Sequence, residues 1–232
     1  MKSSSYRSAR TKRSRYQKRK RRVKVKDQIK TGADVRKAVQ ETAPSQGKLD
    51  TISGSITTTP VTLLEVSKIA FNNDQATQYE RDSKKITMGS LRFRGTLVVG
   101  DATNLVRLLV VRDKNQDNQA WDPASCFFSD GNVTPLATEA QINTRNVDVL
   151  YDNTYYMQDS TESVPAVRPS NFFVDFYVPI RKTLTYIQQN AGDAAINPRN
   201  GHHYYLVAVS DSSILPNPSI RGTSATWFKN IK

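Results

Sequence analysis

From Pro60 onwards the chain contains repeated segments in which apolar and polar residues alternate, separated by stretches rich in Asp, Asn, Gly and Pro. Alternation with a period of two is typical of β-strands with one face in a core and the other in water. The pattern predicts eight strands, at 61–69, 85–99, 105–112, 147–157, 171–181, 184–187, 204–210 and 220–228. The body of the protein is therefore predicted to be all-β.

The second predicted strand has a break in its alternation. Its odd positions carry Leu91, Phe93, Leu97 and Val99, and its even positions carry Arg92, Arg94 and Thr96. This parity predicts that the apolar face lies in the core and the arginine face in solvent. Ile86 and Met88 have the opposite parity, so a β-bulge near Gly89 is expected to shift the register.

The strand at 171–181 has the most regular alternation in the chain. Its inward positions are predicted to be Phe172, Val174, Phe176, Val178 and Ile180. Asp175 and Arg181 are expected to point outward. Pro179 has no N–H to donate to a neighbouring strand, so this strand is predicted to lie at a sheet edge or to end near the proline.

The connections at 70–84, 113–146 and 158–170 are too long for hairpin turns and indicate crossings between sheets or exposed surface. Within one of them, Asp122 followed by Pro123 predicts a short helix over 122–128, with an N-cap and a proline in the first turn. Eight antiparallel strands with long crossings favour a double-sheet jelly roll over an immunoglobulin sandwich.

The net charge of +13 is confined to one end of the chain. Of the 34 Lys and Arg, 13 lie in residues 1–26, which contain no acid, and the other 21 balance the 21 Asp and Glu of residues 27–232. A segment with this charge density cannot bury enough apolar surface to offset its ordering entropy, so the arm is expected to be disordered when free.

The arm is predicted to bind nucleic acid, because Arg and Lys that neutralise phosphates release condensed counterions. Tyr6 and Tyr16 can add stacking on unpaired bases. The alternatives are a solubility tail and a membrane-surface segment, although only Val23 and Val25 supply apolar surface for the latter. The predicted contacts are Arg7, Arg10, Lys12, Arg13, Arg15, Lys18, Arg19, Lys20, Arg21, Arg22, Lys24 and Lys26.

Part of the arm also fits a nuclear-import signal, since short clusters of Lys and Arg can encode one. The candidate residues are Lys18, Arg19, Lys20, Arg21, Arg22, Lys24 and Lys26. Residues 27–60 are predicted to be a linker, with two helical turns over 33–41 and a Ser, Thr and Gly-rich end. The domains are then an arm (1–26), a linker (27–60) and a body (61–232).

The sequence offers little for catalysis, and no enzyme is predicted. His202 and His203 are adjacent, so their side chains are expected to point to opposite sides of a strand. Cys126 has no motif of a nucleophile, and the ten glycines never form a GxG array for phosphate binding. With one cysteine, no secretory-signal pattern and no apolar run near the roughly 18 residues of a membrane helix, intracellular synthesis without membrane insertion is expected.

Asp148 and Asp152 share a parity within one predicted strand. We expect an outward-facing acidic ladder, directed towards solvent or a neighbouring subunit. The alternative is a divalent cation bridging these carboxylates at subunit contacts, since Ca²⁺ takes carboxylate and carbonyl oxygens. No cofactor is predicted.

Five strings, in this order, carry a family resemblance. They are KITMGSLRFRG at 85–95, GDATNLVRLLVVR at 100–112, LYDNTY at 150–155, VPI at 178–180 and VAVSD at 207–211. Together they resemble the capsid proteins of small circular single-stranded DNA viruses, in particular those whose coat is similar to that of satellite tobacco necrosis virus. The resemblance covers roughly residues 50–232, and the arm matches only in character.

The resemblance implies an eight-stranded jelly roll, a closed icosahedral shell of about sixty copies, and basic arms directed inward onto the genome. It also implies that Arg92 and Arg94, if they face the shell interior, extend the basic surface. The expected partners are further copies of the chain, viral single-stranded nucleic acid with DNA favoured over RNA, and host import machinery. The expected locations are the virion and, during assembly, the host nucleus. The alternatives are a cellular ribosomal or chromatin-type protein with a basic tail, and a β-sandwich enzyme or lectin.

Overall fold

The computed structural model describes residues 46–71, 80–114, 121–128, 138–159, 170–187, 198–199 and 201–231. All of them belong to one compact unit, Pro44–Lys232. The basic arm and the helix expected at 33–41 lie outside the described residues. Within these ranges, no helix has the length and hydrophobicity needed to cross a membrane.

The described residues form two four-stranded antiparallel sheets. The strands are β1 (Gln46–Ser55), β2 (Val61–Glu65), β3 (Lys85–Val98), β4 (Thr103–Asp113), β5 (Val147–Gln158), β6 (Asn171–Thr185), β7 (His203–Ser210) and β8 (Ser219–Ile231). One sheet has the order β1-β8-β3-β6 and the other has the order β2-β7-β4-β5. The prediction of an all-β body with eight strands is confirmed.

The pairing follows the pattern of one long hairpin folded over on itself. The first strand pairs with the last, β2 pairs with β7, β3 with β6, and β4 with β5. Because successive pairs of this hairpin fall in alternate sheets, its folding joins two Greek keys into the double-sheet jelly roll that the sequence pattern favours.

The number of strands agrees with the prediction, but two members differ. β1 lies inside the segment assigned to the linker, so the sandwich begins at Gln46 and not at residue 61. This strand has little apolar alternation, and it forms because all ten of its residues pair in continuous register with β8. The strands expected separately at 171–181 and 184–187 are one strand, β6, which continues through Arg181 at a φ of 51°.

The predicted bulge is confirmed at Gly89. Met88 lies opposite Phe228 and Ser90 opposite Trp227, so Gly89 is an extra residue on β3 relative to β8. The register with β6 shifts at the same point. The insertion reverses the parity of β3, and for this reason Met88 and Leu91 can both be buried in the core.

The core lies between the two sheets and follows the predicted parity. Leu91, Phe93 and Leu97 of β3 are buried, as are the even-numbered apolar residues of β6 from Val174 to Ile180. The prediction for Pro179 is also confirmed, because β6 is an edge strand.

Loop residues cover the outer face of the β2-β7-β4-β5 sheet. The predicted short helix is a 3-10 turn, Pro123–Cys126, whose N-cap Asp122 accepts a hydrogen bond of 3.0 Å from the Ala124 amide. Next to it, Trp121 stacks on Tyr205 with the ring centroids 4.1 Å apart. The cluster under this cover contains Leu109, Val111, Cys126, Phe127, Ala140, Val147, Tyr205, Val207 and Val209. The central strands β4 and β7 of this sheet are therefore buried on both faces.

We expect Phe176→Ala to lower the free energy of unfolding by about 3–5 kcal/mol, because it removes a buried ring and leaves a cavity. Phe176 stacks on Tyr151 at 4.2 Å and lies 5.5 Å from the Phe93 ring. The matched control is Tyr177→Ala, the next residue on the same strand, which points outward and should change stability by about 0.5 kcal/mol or less. Denaturant unfolding checks both, and equal losses would contradict the assignment of faces.

Two glycines allow β3 and β8 to come close together over the core. Gly95 and Gly222 are cross-strand partners, and the Phe93 ring lies beside both. A Cβ added at Gly222 would lie 2.5 Å from the carbonyl oxygen of Arg94, which is backbone and cannot move aside. The contact therefore requires glycine.

We expect Gly222→Ala to destabilise the protein by about 1–3 kcal/mol, the usual cost of forcing an extra carbon into a packed interior. The control is Gly54→Ala in β1, where a Cβ would meet no atom within 4 Å. That substitution should be neutral or stabilising by up to about 1 kcal/mol, because alanine restricts the unfolded chain. Thermal unfolding separates the two outcomes, and a neutral Gly222→Ala would refute the steric argument.

Candidate nucleic-acid interface

The outer face of the β1-β8-β3-β6 sheet, hereafter the open face, combines arginines with exposed aromatic rings. Phe173 and Tyr177 are 60% and 61% exposed, and Trp227 is 36% exposed. Its outward-pointing side chains include Leu49 of β1, Arg92 and Arg94 of β3, Phe173, Asp175 and Tyr177 of β6, and Arg221 and Trp227 of β8. Basic and aromatic side chains in this mixture are suited to unpaired nucleic acid.

The strand register determines the arrangement of these side chains. Arg92 lies opposite Tyr177, and Arg94 lies opposite Asp175. In the next row, Thr96 has Phe173 on one side and Arg221 on the other. The arginines therefore lie on the two central strands, and the most exposed rings lie along the β6 edge.

Asp175 holds both β3 arginines. Arg92 Nε donates to Asp175 Oδ1 at 3.0 Å, and Arg92 Nη2 donates to Oδ2 at 2.8 Å. Arg94 Nε lies 3.2 Å from the same Oδ2. The hydrogen bond from Arg92 is the main reason that the pKa of the Asp175 carboxyl lies below its usual value. The same bond raises the pKa of the Arg92 guanidinium.

The open face has an excess of positive charge. Besides its three arginines, Lys85 and Lys229 occupy outward positions near the end of the sheet. Asp175 is the one carboxylate at the outward positions of these four strands, as far as the structure describes them. Although residues 27–232 have no net charge in total, the fold places a local cationic surface on this sheet, which favours a polyanion.

The structure describes two of the predicted nucleic-acid contacts, Arg92 and Arg94, and brings them together at one carboxylate. The twelve predicted contacts of the arm, including the candidate import signal, lie outside the described residues. Sequence analysis missed Arg221, Phe173, Tyr177 and Trp227. Their alternation with apolar residues indicates that they point outward. The sequence does not show that β8 and β6 flank β3, and so it does not show that these residues share a surface with Arg92 and Arg94.

The expectation that Asp148 and Asp152 share one face is wrong. The β4–β5 register shifts between Val110 and Val111, so Leu150 is an extra residue that reverses the parity of β5. Asp152 lies on the outer face of its sheet beside the loop cover, where Arg107 binds it through Nε at 2.8 Å and Nη2 at 2.6 Å. Asp148 lies on the other side of the strand.

Asp148 is held by two basic residues, Arg112 of β4 and Lys114, which directly follows β4. Arg112 is directly opposite and donates to Oδ2, and Lys114 Nζ lies 2.6 Å from Oδ1. The hydrogen bond from Lys114 is the largest cause of the lowered pKa of Asp148. Both predicted ladder carboxylates therefore have cationic partners within the same subunit. Among the described residues, no group of three or more His, Cys, Asp or Glu side chains is arranged to hold a metal ion.

The two histidines have separate environments, as expected from their adjacency. His202 Nδ1 lies 3.4 Å from Arg112 Nη1, and burial lowers the pKa of His202. His203 Nε2 lies 2.7 Å from the carbonyl oxygen of Pro198. Cys126 is buried in the cluster under the loop cover, and burial raises the pKa of its thiol to about 12.

No protein-family model matches the chain, and no curated protein matches it. Fifteen chains of solved structures match. One is a chain from Desmodium yellow mottle tymovirus, with 10% sequence identity and a TM-score of 0.31, covering 80% of this chain and 87% of the viral chain. The fold is defined by the strand order of the chain itself.

We expect the Cys126 thiol of the folded protein to react with a disulfide reagent at pH 8 at least about tenfold more slowly than in denaturant. The thiolate is the reactive form, and a pKa of about 12 makes it scarce at that pH. The release of a coloured thiol measures the rate, and Cys126→Ser supplies the background. Fast labelling without denaturant would show that the loop cover does not bury this residue.

Proposed function

We propose that this protein is a viral capsid protein that assembles with copies of itself into a closed shell and packages single-stranded nucleic acid. The observation that supports this function most strongly is a jelly roll with one cationic open face, preceded in the chain by an arm that contains 13 basic residues and no acid. Because a fold alone does not define a function, the capsid proposal rests on the distribution of charge together with the fold.

The separation of charge suits a shell protein. In the loop-covered sheet, the ion pairs Arg107–Asp152 and Arg112–Asp148 join β4 to β5 within one subunit, so these four charges are compensated. The excess of positive charge lies on the open face and in the arm. A protein with this division can pack its other surfaces against further copies while its basic parts bind a polyanion.

The resemblance of the five strings to coat proteins of small circular single-stranded DNA viruses supports a finer proposal. It comprises a shell of about sixty copies, inward-directed arms, DNA as the packaged polymer, and entry into the host nucleus through residues 18–26. Sixty arms would supply about 780 positive charges, the same order as a genome of about a thousand phosphates. Most of the packaged charge could then be neutralised by the arms.

We expect the purified full-length protein to form closed shells visible by electron microscopy when it is mixed with single-stranded nucleic acid at moderate salt. Replacing the 13 Lys and Arg of residues 1–26 by Gln should strongly lower the nucleic acid retained per subunit. It should also flatten the salt dependence of binding, because fewer counterions are released. The ratio of absorbance at 260 and 280 nm, followed across a salt series, measures both effects.

A control variant replaces the same number of outward Ser and Thr residues in the body by Gln and should retain as much nucleic acid as the natural chain. The absence of closed shells at every salt concentration would reject the capsid proposal. Small oligomers that bind nucleic acid would instead favour a cellular nucleic-acid-binding protein. Unchanged retention without the arm's charge would reject the packaging role of the arm.

A further inference from the structure

We infer that the open face is a binding surface for an unpaired nucleic-acid strand, with bases stacked on Phe173, Tyr177 and Trp227 and phosphates held by the arginines of β3 and β8. The inference rests on the proposed function and deepens it, because it names a second contact with the packaged polymer, outside the arm. The polymer is recognised there as a single strand.

The rings are placed for stacking on separate bases. Phe173 and Tyr177 are four residues apart on β6, which corresponds to about 13 Å along a strand, too far for both rings to hold the same base. Both are more than half exposed at the edge of the sheet, whereas the large apolar side chains elsewhere on β6 are buried or partly buried. Stacking on such rings tolerates any base, because every base has a π face.

The cations lie beside these rings. The guanidinium of Arg94 is 5.9 Å from the centroid of the Phe173 ring, and Arg92 is the cross-strand partner of Tyr177. On β8, Arg221 lies two strands from Phe173 in the same row. A strand whose bases stack on β6 would therefore have its phosphates close to the arginines of the central strands.

An unpaired strand fits this surface better than a duplex. The sheet has four strands at a spacing of about 4.8 Å, and its aromatic side chains stand on an edge that a single base can approach. In a duplex the base faces are already occupied by neighbouring bases, so the rings would have nothing to stack on. A duplex could use only the arginines, through its phosphates.

A second copy of this chain is a poor occupant for the open face. In a symmetric contact the same patch meets itself, so Arg92, Arg94 and Arg221 would face an identical set of cations. One carboxylate per subunit, Asp175, cannot compensate three arginines, and it already binds two of them. Charge complementarity instead selects a polyanion.

Asp175 tunes the affinity of this surface. Its carboxylate occupies the guanidinium groups of Arg92 and Arg94 that a phosphate would use, with both Oδ atoms engaged. Binding of a phosphate must therefore compete with this intramolecular pair. Asp175→Asn removes the negative charge, so we expect it to tighten nucleic-acid binding. If Asp175 had only a structural role, the loss of its ion pairs would not tighten binding.

The two tryptophans of the chain allow a direct test in the full-length protein. Trp227 lies on the open face, where its indole is next to Gly47, whereas Trp121 is part of the loop cover, stacks on Tyr205 and donates to Thr62 Oγ1 at 2.8 Å. Trp121→Phe leaves Trp227 as the reporter of the open face. Trp227→Phe leaves Trp121 as the reporter of the opposite sheet.

We expect oligo(dT) of about 20 nucleotides, added to dissociated subunits, to quench the Trp227 fluorescence of Trp121→Phe and to leave the Trp121 fluorescence of Trp227→Phe almost unchanged. The titration is made at about 0.5 M salt, where the electrostatic contribution of the arm is weak. A duplex of equal length should quench Trp227 much less. The additional changes Phe173→Ala and Tyr177→Ala should each weaken binding by about 5- to 150-fold, the range expected for one stacked base.

Asp175→Asn in the same background should lower the apparent Kd, and Arg92→Gln should raise it. Equal quenching by duplex and single strand, or unchanged binding after loss of both rings, would overturn the inference. If Trp227 were quenched when the protein self-associates without nucleic acid, and did not respond to oligo(dT), the open face would be assigned to a second copy. That result would also overturn the inference.

The outcomes separate this inference from the capsid proposal. Closed shells that retain nucleic acid through the arm, without any response of Trp227, would reject the open-face site alone. A response of Trp227 to oligo(dT) in a protein that never forms shells would reject the capsid function alone.

Discussion

The position of β8 between β1 and β3 is the constraint on which the rest of the structure depends. In the β1-β8-β3-β6 sheet, β8 pairs with β1 along ten residues. It pairs with β3 along the whole length of β8. That contact requires the strands to approach at Gly95 and Gly222, where a side chain would collide with backbone. Without β8, β1 would have no partner and the row from Arg221 to Phe173 would not exist.

The two sheets bury their outer faces to different extents, and this difference creates the candidate site. Residues 121–128 and 138–147 cover the β2-β7-β4-β5 sheet, and Arg107 supports the cover by donating to the Ala140 carbonyl oxygen at 2.8 Å. The other sheet keeps its outer face open, so its outward side chains are free to be basic and aromatic. Basic and aromatic side chains from three sequence segments form one surface because β3, β6 and β8 are neighbours.

Features of the fold that are encoded within a single strand could be predicted from the sequence. The parity of Phe93 against Arg92, the bulge at Gly89 and the edge position of Pro179 all follow from residues within one strand. Predictions that depended on a partner strand were less successful. β1 was assigned to a linker because its stability comes from β8, and the two ladder carboxylates were placed on one face because the extra residue of β5 is visible only against β4.

Which residues alternate, where charge accumulates along the chain and that a basic arm precedes a β-sandwich can all be read from near neighbours and composition. Which face is covered and which charges meet depends on contacts between strands that are far apart in sequence. Arg81 illustrates the reason: its guanidinium is fully buried, 4.2 Å from the ring centroid of Tyr186, and donates to the Ile69 and Ser83 carbonyl oxygens. Nothing near Arg81 in sequence distinguishes it from an exposed arginine, because Tyr186, whose ring lies against its guanidinium, is far away in the chain.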